Sequence, residues 1–538
     1  MAQEPDVILK NKVFLYVTEF FSGMSVMAVE LGASRLLAPY FSSSQIVWTI
    51  IIGTIMIAMA LGNYFGGRSA DKNPNPDRLY RRILIAAIWI GVIPWVGKYV
   101  IIGISGVVVL AVNTAYLIWA ALIVCLVIFV FPLFLLGTVT PSHAKYTVDS
   151  LEESGRVVGT LGAFNTVGSI IGTFLPTFVT IPAVGTSVTF LIFSGILLAL
   201  ALVYFISRRL HKRQIAVGLV IFALCCVFGH GDSFAFWDNS LKYEGESIYN
   251  YLQVRDSATE TTLSTNALFG VQSIRMKGGA LTGMYYDYAM AAPLMTGKAD
   301  PGACKMLILG MGTGTYAAQC QKYYGTKKIK GVEIDQKITD LAHRYFDLPA
   351  NIPVATYDGR AYLQASDQKY DVIMVDAYQD ITIPFQMSST EFFKLVKSHL
   401  TKNGVMVVNM NMRNAGKNGI NQYLTDTIAS VFPDVYTVDV RDNTNRELFA
   451  SSGADMKGSL IRKTASIENA SLRRTMTDTA DGLTRESGGP HVMTDDRAPV
   501  ERLGMQAIDQ IIGSELGYYK RIYHRQGLGA LIDAVLQS

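Results

Sequence analysis

Hydrophobic positions divide the chain into two regimes. Between residues 13 and 230 the apolar runs are long and nearly unbroken; from 231 onward they are short, periodic and separated by turns. A helix needs about 20 apolar residues to cross a hydrocarbon core. That length predicts membrane helices over 13–38, 46–66, 83–104, 117–137, 157–181, 185–206 and 214–230. The last is the shortest. The stretch 83–113 exceeds one span and is interrupted by Lys98, which predicts a span followed by an interfacial or re-entrant piece. The first run holds Glu19 and Glu30 and shows no small-residue cleavage site, so it reads as a retained helix and not as a leader peptide.

Beyond residue 300 the pattern changes to alternating strand and helix. Strands are predicted at Lys305–Leu309, Lys330–Ile334, Val354–Tyr357, Tyr370–Val375 and Gly404–Asn409. Helices are predicted through Tyr324, over Gln336–Phe346 and over Glu391–Leu400. Repeated strand–helix units imply a parallel, doubly wound sheet.

Composition sharpens this division. Of 538 residues, 50% are hydrophobic and 17% charged, with mean hydropathy +0.28. A soluble chain carries about 25% charge, so the deficit argues against a wholly soluble or disordered protein. A net charge of +4 is too small to point to nucleic acid. Five cysteines without a CxxC pair suggest neither a disulfide framework nor a zinc site, and no metal is expected.

Basic residues cluster in alternate loops: Arg68, Lys72, Arg78, Arg81 and Arg82; then Lys145 and Arg156; then Arg208, Arg209, Lys212 and Arg213. The positive-inside rule puts these loops, with Lys10 and Lys12, in the cytoplasm. Seven spans would then leave the rest of the chain outside. Glu19 and Glu30, with Arg35 beyond them, are costly in an apolar helix and read as an ion pair or a functional site. Gly159, Gly162, Gly168 and Gly172 read as a close helix-packing face.

The candidate chemistry sits at the strand ends. Gly310, Gly312 and Gly314 follow the first strand, with Thr313 between them, and let backbone N–H groups approach a ligand. Glu333, about 20 residues on, can accept both hydroxyls of a ribose. Asp358-Gly359 ends the third strand and suits an adenine edge; Asp376 ends the fourth and faces the crevice. The set favours an S-adenosyl ligand over a nicotinamide cofactor.

These motifs together resemble spermidine synthase (polyamine aminopropyltransferase) in its membrane-fused form, over roughly 240–505. Glu246-Ser247-Ile248-Tyr249-Asn250 resembles the opening E-S-x-Y-Q of the family's small β-domain. Tyr285-Tyr286-Asp287 falls on Tyr-His-Glu, and the glycine loop on G-G-G-D-G. Glu333-Ile334-Asp335, Asp358-Gly359 and Tyr370-Asp371-Val372-Ile373 match well, and Thr494-Asp495-Asp496 resembles a signature near the end of the fused proteins. The departures are Asn250 for Gln, Thr313 for the loop Asp, Tyr286 and Asp287 for His and Glu, and Asp376-Ala377-Tyr378-Gln379-Asp380 for D-x-x-D.

The resemblance implies an N-terminal α-helical transmembrane bundle over 1–230 and a small β-rich part over 231–290. It implies a Rossmann-like S-adenosyl-binding domain over 291–505, followed by helices over 506–538. It implies transfer of an aminopropyl group from decarboxylated S-adenosylmethionine to a polyamine such as putrescine. Asp376 would orient and deprotonate the amine, Asp380 and Asp287 bind its cationic part, and Tyr285 position it. Asn250, Gly310, Gly312, Thr313, Gly314, Glu333, Asp358 and Gly359 would hold the adenosyl co-substrate, with no tightly bound cofactor. Because Thr313 lacks the family carboxylate, weaker discrimination against ordinary S-adenosylmethionine is expected. The expected location is the cell membrane, with the bilayer, a small amine and a second copy of the chain as partners. The alternatives are an S-adenosylmethionine-dependent methyltransferase and a non-catalytic adenosyl- or polyamine-sensing domain coupled to a transporter-like membrane half.

Overall fold

The computed structural model describes residues 12–41, 43–112, 114–147, 151–209, 212–231, 234–235, 238, 240–266, 271–378, 383–411 and 418–536. Contacts divide the chain into two units. The first runs to Asp238 and also takes in Glu244–Tyr251 and Asn266; the second holds the remainder.

The first unit is helical: α1 Lys12–Phe41, α2 Gln45–Lys72, α3 Pro76–Ala111, α4 Tyr116–Ile128, α5 Val130–Gly137, α6 Val139–Thr147, α7 Leu151–Leu175, α8 Ile181–Ser207 and α9 Lys212–Phe228. A helix covers each stretch where the apolar pattern predicts one. Four runs (Lys12–Phe41, Gln45–Lys72, Pro76–Ala111 and Ser154–Ser207) are long and apolar enough to cross a membrane. The pair Tyr116–Ile128 and Val130–Thr147, bent by 48°, makes a fifth when taken together. The run Ser154–Ser207 is not one straight helix. Gly185, at φ 81°, breaks it where the sequence separates two spans. The stretch 83–113, read as a span followed by an interfacial or re-entrant piece, lies in one continuous helix through Lys98 to Ala111, without a re-entrant turn.

Packing between α1 and α7 depends on absent side chains. A Cβ at Gly168 would collide with the Phe20 carbonyl, and one at Gly172 with that of Met24. Gly159 and Gly162 meet nothing within 4 Å, so the predicted packing face is half as long as read. On its outer surface the unit is apolar: Met56, Val107 and Phe178 are 65%, 66% and 69% exposed. The motif segment from Glu246 is held within this unit. Thr186 N–H and Oγ1 each donate to the Glu246 carboxylate at 2.8 Å. The Arg35 guanidinium donates to the Ser247 carbonyl at 3.3 Å and also to the Ile248 carbonyl.

The chain beyond the helices carries two sheets. β1 Leu241–Glu246, β2 Tyr251–Asp256, β3 Glu260–Thr265 and β4 Ser273–Met276 pair in chain order. Short helices α10 Tyr285–Ala289 and α11 Ala291–Met295 lead into the larger sheet. Its alternating part is β5 Lys305–Leu309, α12 Thr315–Tyr324, β6 Lys328–Glu333, α13 Gln336–Tyr345, β7 Val354–Thr356, α14 Gly359–Gln364, β8 Tyr370–Val375, α15 Thr390–His399 and β9 Leu400–Met410. α16 Ile420–Ala429, β10 Asp434–Asp439, β11 Arg446–Ser451, α17 Met456–Thr464, α18 Ala470–Gly482, β12 Thr484–Arg485 and α19 Val500–Leu536 complete the chain.

The eight strands lie in the order β12-β10-β11-β9-β8-β5-β6-β7. β5 to β9 are parallel, while β10, β11 and β12 add an antiparallel edge. β8 is buried along its whole length, as a central parallel strand covered on both faces must be. Burying each of Val372, Ile373, Met374 and Val375 contributes about 1.5–3 kcal/mol. Strand order reverses between β5 and β8. A doubly wound sheet opens its ligand crevice at such a point, at the carboxyl ends of the strands.

Candidate active site

The glycine loop lies on this crevice. Gly310, Gly312 and Gly314 have φ of 82°, 54° and 82°, a region closed to most side chains. A Cβ at Gly310 would strike the Asp376 carbonyl, so this glycine lets β5 and β8 turn out side by side. Gly312 N–H donates to Glu333 Oε2 at 2.9 Å, and Asp335 N–H to its Oε1 at 3.2 Å. Glu333 is therefore fixed beneath the loop, and burial pushes its carboxyl up to about 6. Asp335 caps α13 by accepting from Lys337 N–H at 3.0 Å. Asp358 caps α14 by accepting from Ala361 N–H at 2.8 Å. Gly359 is the first residue of that helix.

Asp376 follows the last residue of β8. Its Oδ2 accepts from the Tyr285 hydroxyl at 2.7 Å and its Oδ1 from Asn409 Nδ2 at 2.9 Å. Burial, opposed by these two bonds and helped by Glu333, raises its carboxyl to about 7. Tyr285 is 6% exposed, and burial and Asp376 push its phenol well up, so it is a hydrogen donor at neutral pH. Asn409 is itself oriented: Asn445 Nδ2 donates to its Oδ1 at 2.7 Å.

The sequence reading missed Glu447. It lies on β11 directly opposite Asn409 of β9, so the two side chains share a face. It is 0% exposed, and among the described residues neither carboxylate oxygen has a hydrogen-bond partner. Burial first, and Asp376 second, hold its carboxyl well above the usual range. A signal existed. Arg446-Glu447-Leu448-Phe449-Ala450 is an apolar strand interrupted by one carboxylate.

One expectation is corrected. Asp287 is not available to bind a cation. It is 2% exposed, and its oxygens accept from Thr282 N–H and Oγ1, Gln319 Nε2 and Gly283 N–H at 3.1, 3.0, 2.7 and 2.6 Å. It anchors the loop before α10, and so places Tyr285. Thr313 is 2% exposed, its hydroxyl 3.3 Å from that of Thr315 and its N–H on Ser273 Oγ. It is packed inside the loop, with no carboxylate at this position. Asn250 belongs to the first unit, where its Oδ1 accepts from Asn266 Nδ2 at 2.7 Å. Asp380 and Gln379 lie outside the described residues. Tyr286 donates to the Gln272 carbonyl at 2.7 Å and is a scaffold.

Three carboxylates, of Glu333, Asp376 and Glu447, thus influence one another along one crevice. Burial raises all three above the ordinary carboxylate range.

Comparison with known proteins identifies the family. The model of the spermine/spermidine synthase domain matches residues 285–449. A probable polyamine aminopropyl transferase of Bifidobacterium longum is 52% identical over 354 residues, covering 63% of this chain and 78% of that protein. A polyamine aminopropyltransferase of Vibrio vulnificus is 26% identical over 243 residues, covering 43% of this chain and 78% of that protein. The crystal structure of a probable spermidine synthase from Corynebacterium glutamicum aligns with 19% identity and a TM-score of 0.35, covering 46% of this chain and 96% of that one. The chain belongs to the polyamine aminopropyltransferase (spermidine synthase) family of transferases.

Proposed function

We propose that this protein is a membrane-bound aminopropyltransferase that uses decarboxylated S-adenosylmethionine as co-substrate and a polyamine such as putrescine as acceptor. The observation that carries the reading is Asp376, held by Tyr285 and Asn409 beside the unpaired carboxyl of Glu447. Both substrates are cations, one a sulfonium and one an ammonium, and the crevice is lined with carboxylates. Glu333 and Asp358 suit the ribose and adenine of the co-substrate, and the glycine loop its close approach. The acceptor amine loses a proton to Asp376, whose raised basicity matches that task near neutral pH. The freed lone pair attacks the carbon beside the sulfonium. The C–N bond forms as the C–S bond breaks, and methylthioadenosine leaves neutral. Glu447 receives the cationic remainder of the amine. The membrane reading is supported by the length of the apolar helices and the apolar outer surface of the first unit.

The test uses the full chain in nanodiscs with decarboxylated S-adenosylmethionine and putrescine. Spermidine and methylthioadenosine should form in equal amounts. Asp376→Asn should lower kcat/KM by about 10²–10⁴-fold, the usual worth of a positioned base. Methylthioadenosine binding should be unchanged. Because Asp376 must be ionised to accept the proton, wild-type kcat/KM should fall as pH drops through about 7. Full activity in Asp376→Asn, or S-adenosylhomocysteine as product, would overturn the reading.

A further inference from the structure

The proposed transfer chemistry leaves unused the motif Thr494-Asp495-Asp496, to which the structure gives a definite place. Thr494 and Arg497 exchange both backbone hydrogen bonds, at 3.1 and 3.0 Å, so Asp495 and Asp496 form the tip of a tight turn. The chain leading to it is fixed. Met493 is 0% exposed, its carbonyl accepts from Thr390 N–H at 3.0 Å, and its N–H donates to Thr427 Oγ1 at 2.9 Å.

Asp495 meets Arg360, the second residue of α14, in a two-pronged pair. Arg360 Nη1 donates to Asp495 Oδ1 at 2.7 Å and Nη2 to Oδ2 at 2.6 Å. Nη1 also donates to the Gln386 carbonyl at 2.9 Å, and Ser389 Oγ donates to Asp495 Oδ1 at 2.5 Å. Exposed ion pairs contribute little, because two long side chains lose freedom and solvent screens the charges. This pair differs. The guanidinium fork matches both carboxylate oxygens, the Arg360 side chain is only 18% exposed, and further bonds tie the pair to the segment before α15. Asp496, one residue on, makes no hydrogen bond or ion pair among the described residues.

What the pair holds is the opening of α14. That helix is six residues long, too short to be stable by its own hydrogen bonds, so its position depends on tertiary contacts. Asp358 stands at its N-cap. Its Oδ1 is committed to the cap through Ala361 N–H, while among the described residues its Oδ2 accepts no hydrogen bond and can meet a ligand. Arg360 lies two residues beyond it. Gly359, between them, packs against Met387 and against Leu309 at the end of β5, at 3.4 and 3.5 Å from a Cβ placed there.

We infer that Asp495 is a positioning residue for the adenosyl co-substrate: through Arg360 it fixes the start of α14, and so the Asp358 carboxyl that takes the adenine edge. The inference rests on the proposed co-substrate site. It gives the C-terminal motif a role in co-substrate affinity and none in the chemical step.

Calorimetric binding of methylthioadenosine to the full chain in nanodiscs tests it, with steady-state kinetics beside it. Asp495→Asn and Arg360→Gln should each weaken methylthioadenosine about three- to tenfold. The double variant should bind no more weakly than either single one, since each already removes the same pair. Asp496→Asn should bind as the wild type does. In Asp495→Asn, KM for decarboxylated S-adenosylmethionine should rise by the same factor as the binding constant, with kcat and KM for putrescine unchanged. Arg360→Lys keeps the charge but loses the fork; it should also weaken binding, and it decides the matter if Asp495→Asn does not fold. Wild-type affinity in Asp495→Asn or Arg360→Lys, additive losses in the double variant, or a fall in kcat with methylthioadenosine affinity unchanged would overturn the inference. Asp358→Ala separates it from the reading beneath it. If that variant binds methylthioadenosine as tightly as the wild type, the adenine assignment fails and takes the inference with it. If the affinities change as expected but no spermidine forms, the transfer reading fails and the positioning role stands.

Discussion

At the scale of single residues, Glu447 has the least comfortable position in the catalytic unit. Among the described residues neither oxygen of this buried carboxyl has a partner, and burial makes it hold its proton more tightly than a carboxyl in water. An ammonium placed against it reverses that balance, so amine binding should release a proton. Calorimetric titration with putrescine in two buffers of different ionisation enthalpy reads this release directly, and Glu447→Gln should abolish its part of it. The variant should also raise KM for the amine about ten- to a hundredfold, the loss of one charged hydrogen bond of roughly 1.5–3 kcal/mol. Stability should move the other way. A folded-state pKa raised above 4.5 means that Glu447 favours folding at low pH and loses that advantage as pH rises. Glu447→Gln should therefore match the wild type near pH 4.5 and become the more stable form above it. Asp287 shows the opposite case, a carboxylate that looked catalytic and is bonded to the loop at Thr282 and Gly283 and to Gln319 of α12.

At the scale of elements, α1 and α7 pack through Gly168 and Gly172, whose missing side chains allow backbone contact with Phe20 and Met24. Gly172→Leu should force the helices apart, costing about 1–3 kcal/mol or more. Gly162→Leu, which faces open space, should be tolerated or slightly stabilising, because glycine is a poor helix former by about 1 kcal/mol. Thermal unfolding and size-exclusion profiles in detergent distinguish the two. The helical pattern of this segment was legible, but which glycines touched a neighbour was not, since that depends on the rotation of α7 about its axis. In the second unit the strands β5 to β9 were legible because their apolar runs are bounded by glycine and aspartate. The antiparallel strands β10 and β11 were not read. Their sequences mix Asp, Thr, Arg and Glu with apolar residues, and no glycine turn marks them. With β11 unread, Glu447 could not be placed opposite Asn409. The proposed co-substrate end of the site was thus visible from local motifs, whereas the proposed amine end depends on a long-range strand pairing.

At the scale of the whole molecule, the charge of the loops and the source of the co-substrate constrain which side of the membrane the enzyme faces. The loops holding Arg68 to Arg82 and Arg208 to Arg213 are basic and, on the proposed membrane reading, cytoplasmic. An S-adenosyl co-substrate is made in the cytosol, so the catalytic unit should share that side. Seven full crossings would place it on the other. We propose that α9 resolves this conflict. Its 17 residues rise about 26 Å, short of the roughly 30 Å of a hydrocarbon core, and it is absent from the runs long enough to cross. On that proposal α9 would dip into the bilayer without crossing it, and the remaining helices would return the chain to the cytoplasm. Cysteine labelling tests this in a background where Cys226, the exposed native thiol, is serine. Asn73→Cys in the basic loop and Ala258→Cys in the β2–β3 turn should both resist a membrane-impermeant maleimide in intact cells and react after permeabilisation. Labelling of Ala258→Cys in intact cells with Asn73→Cys protected would make α9 a seventh crossing and require the co-substrate to be exported. Labelling of Asn73→Cys in intact cells would refute the orientation read from the basic loops.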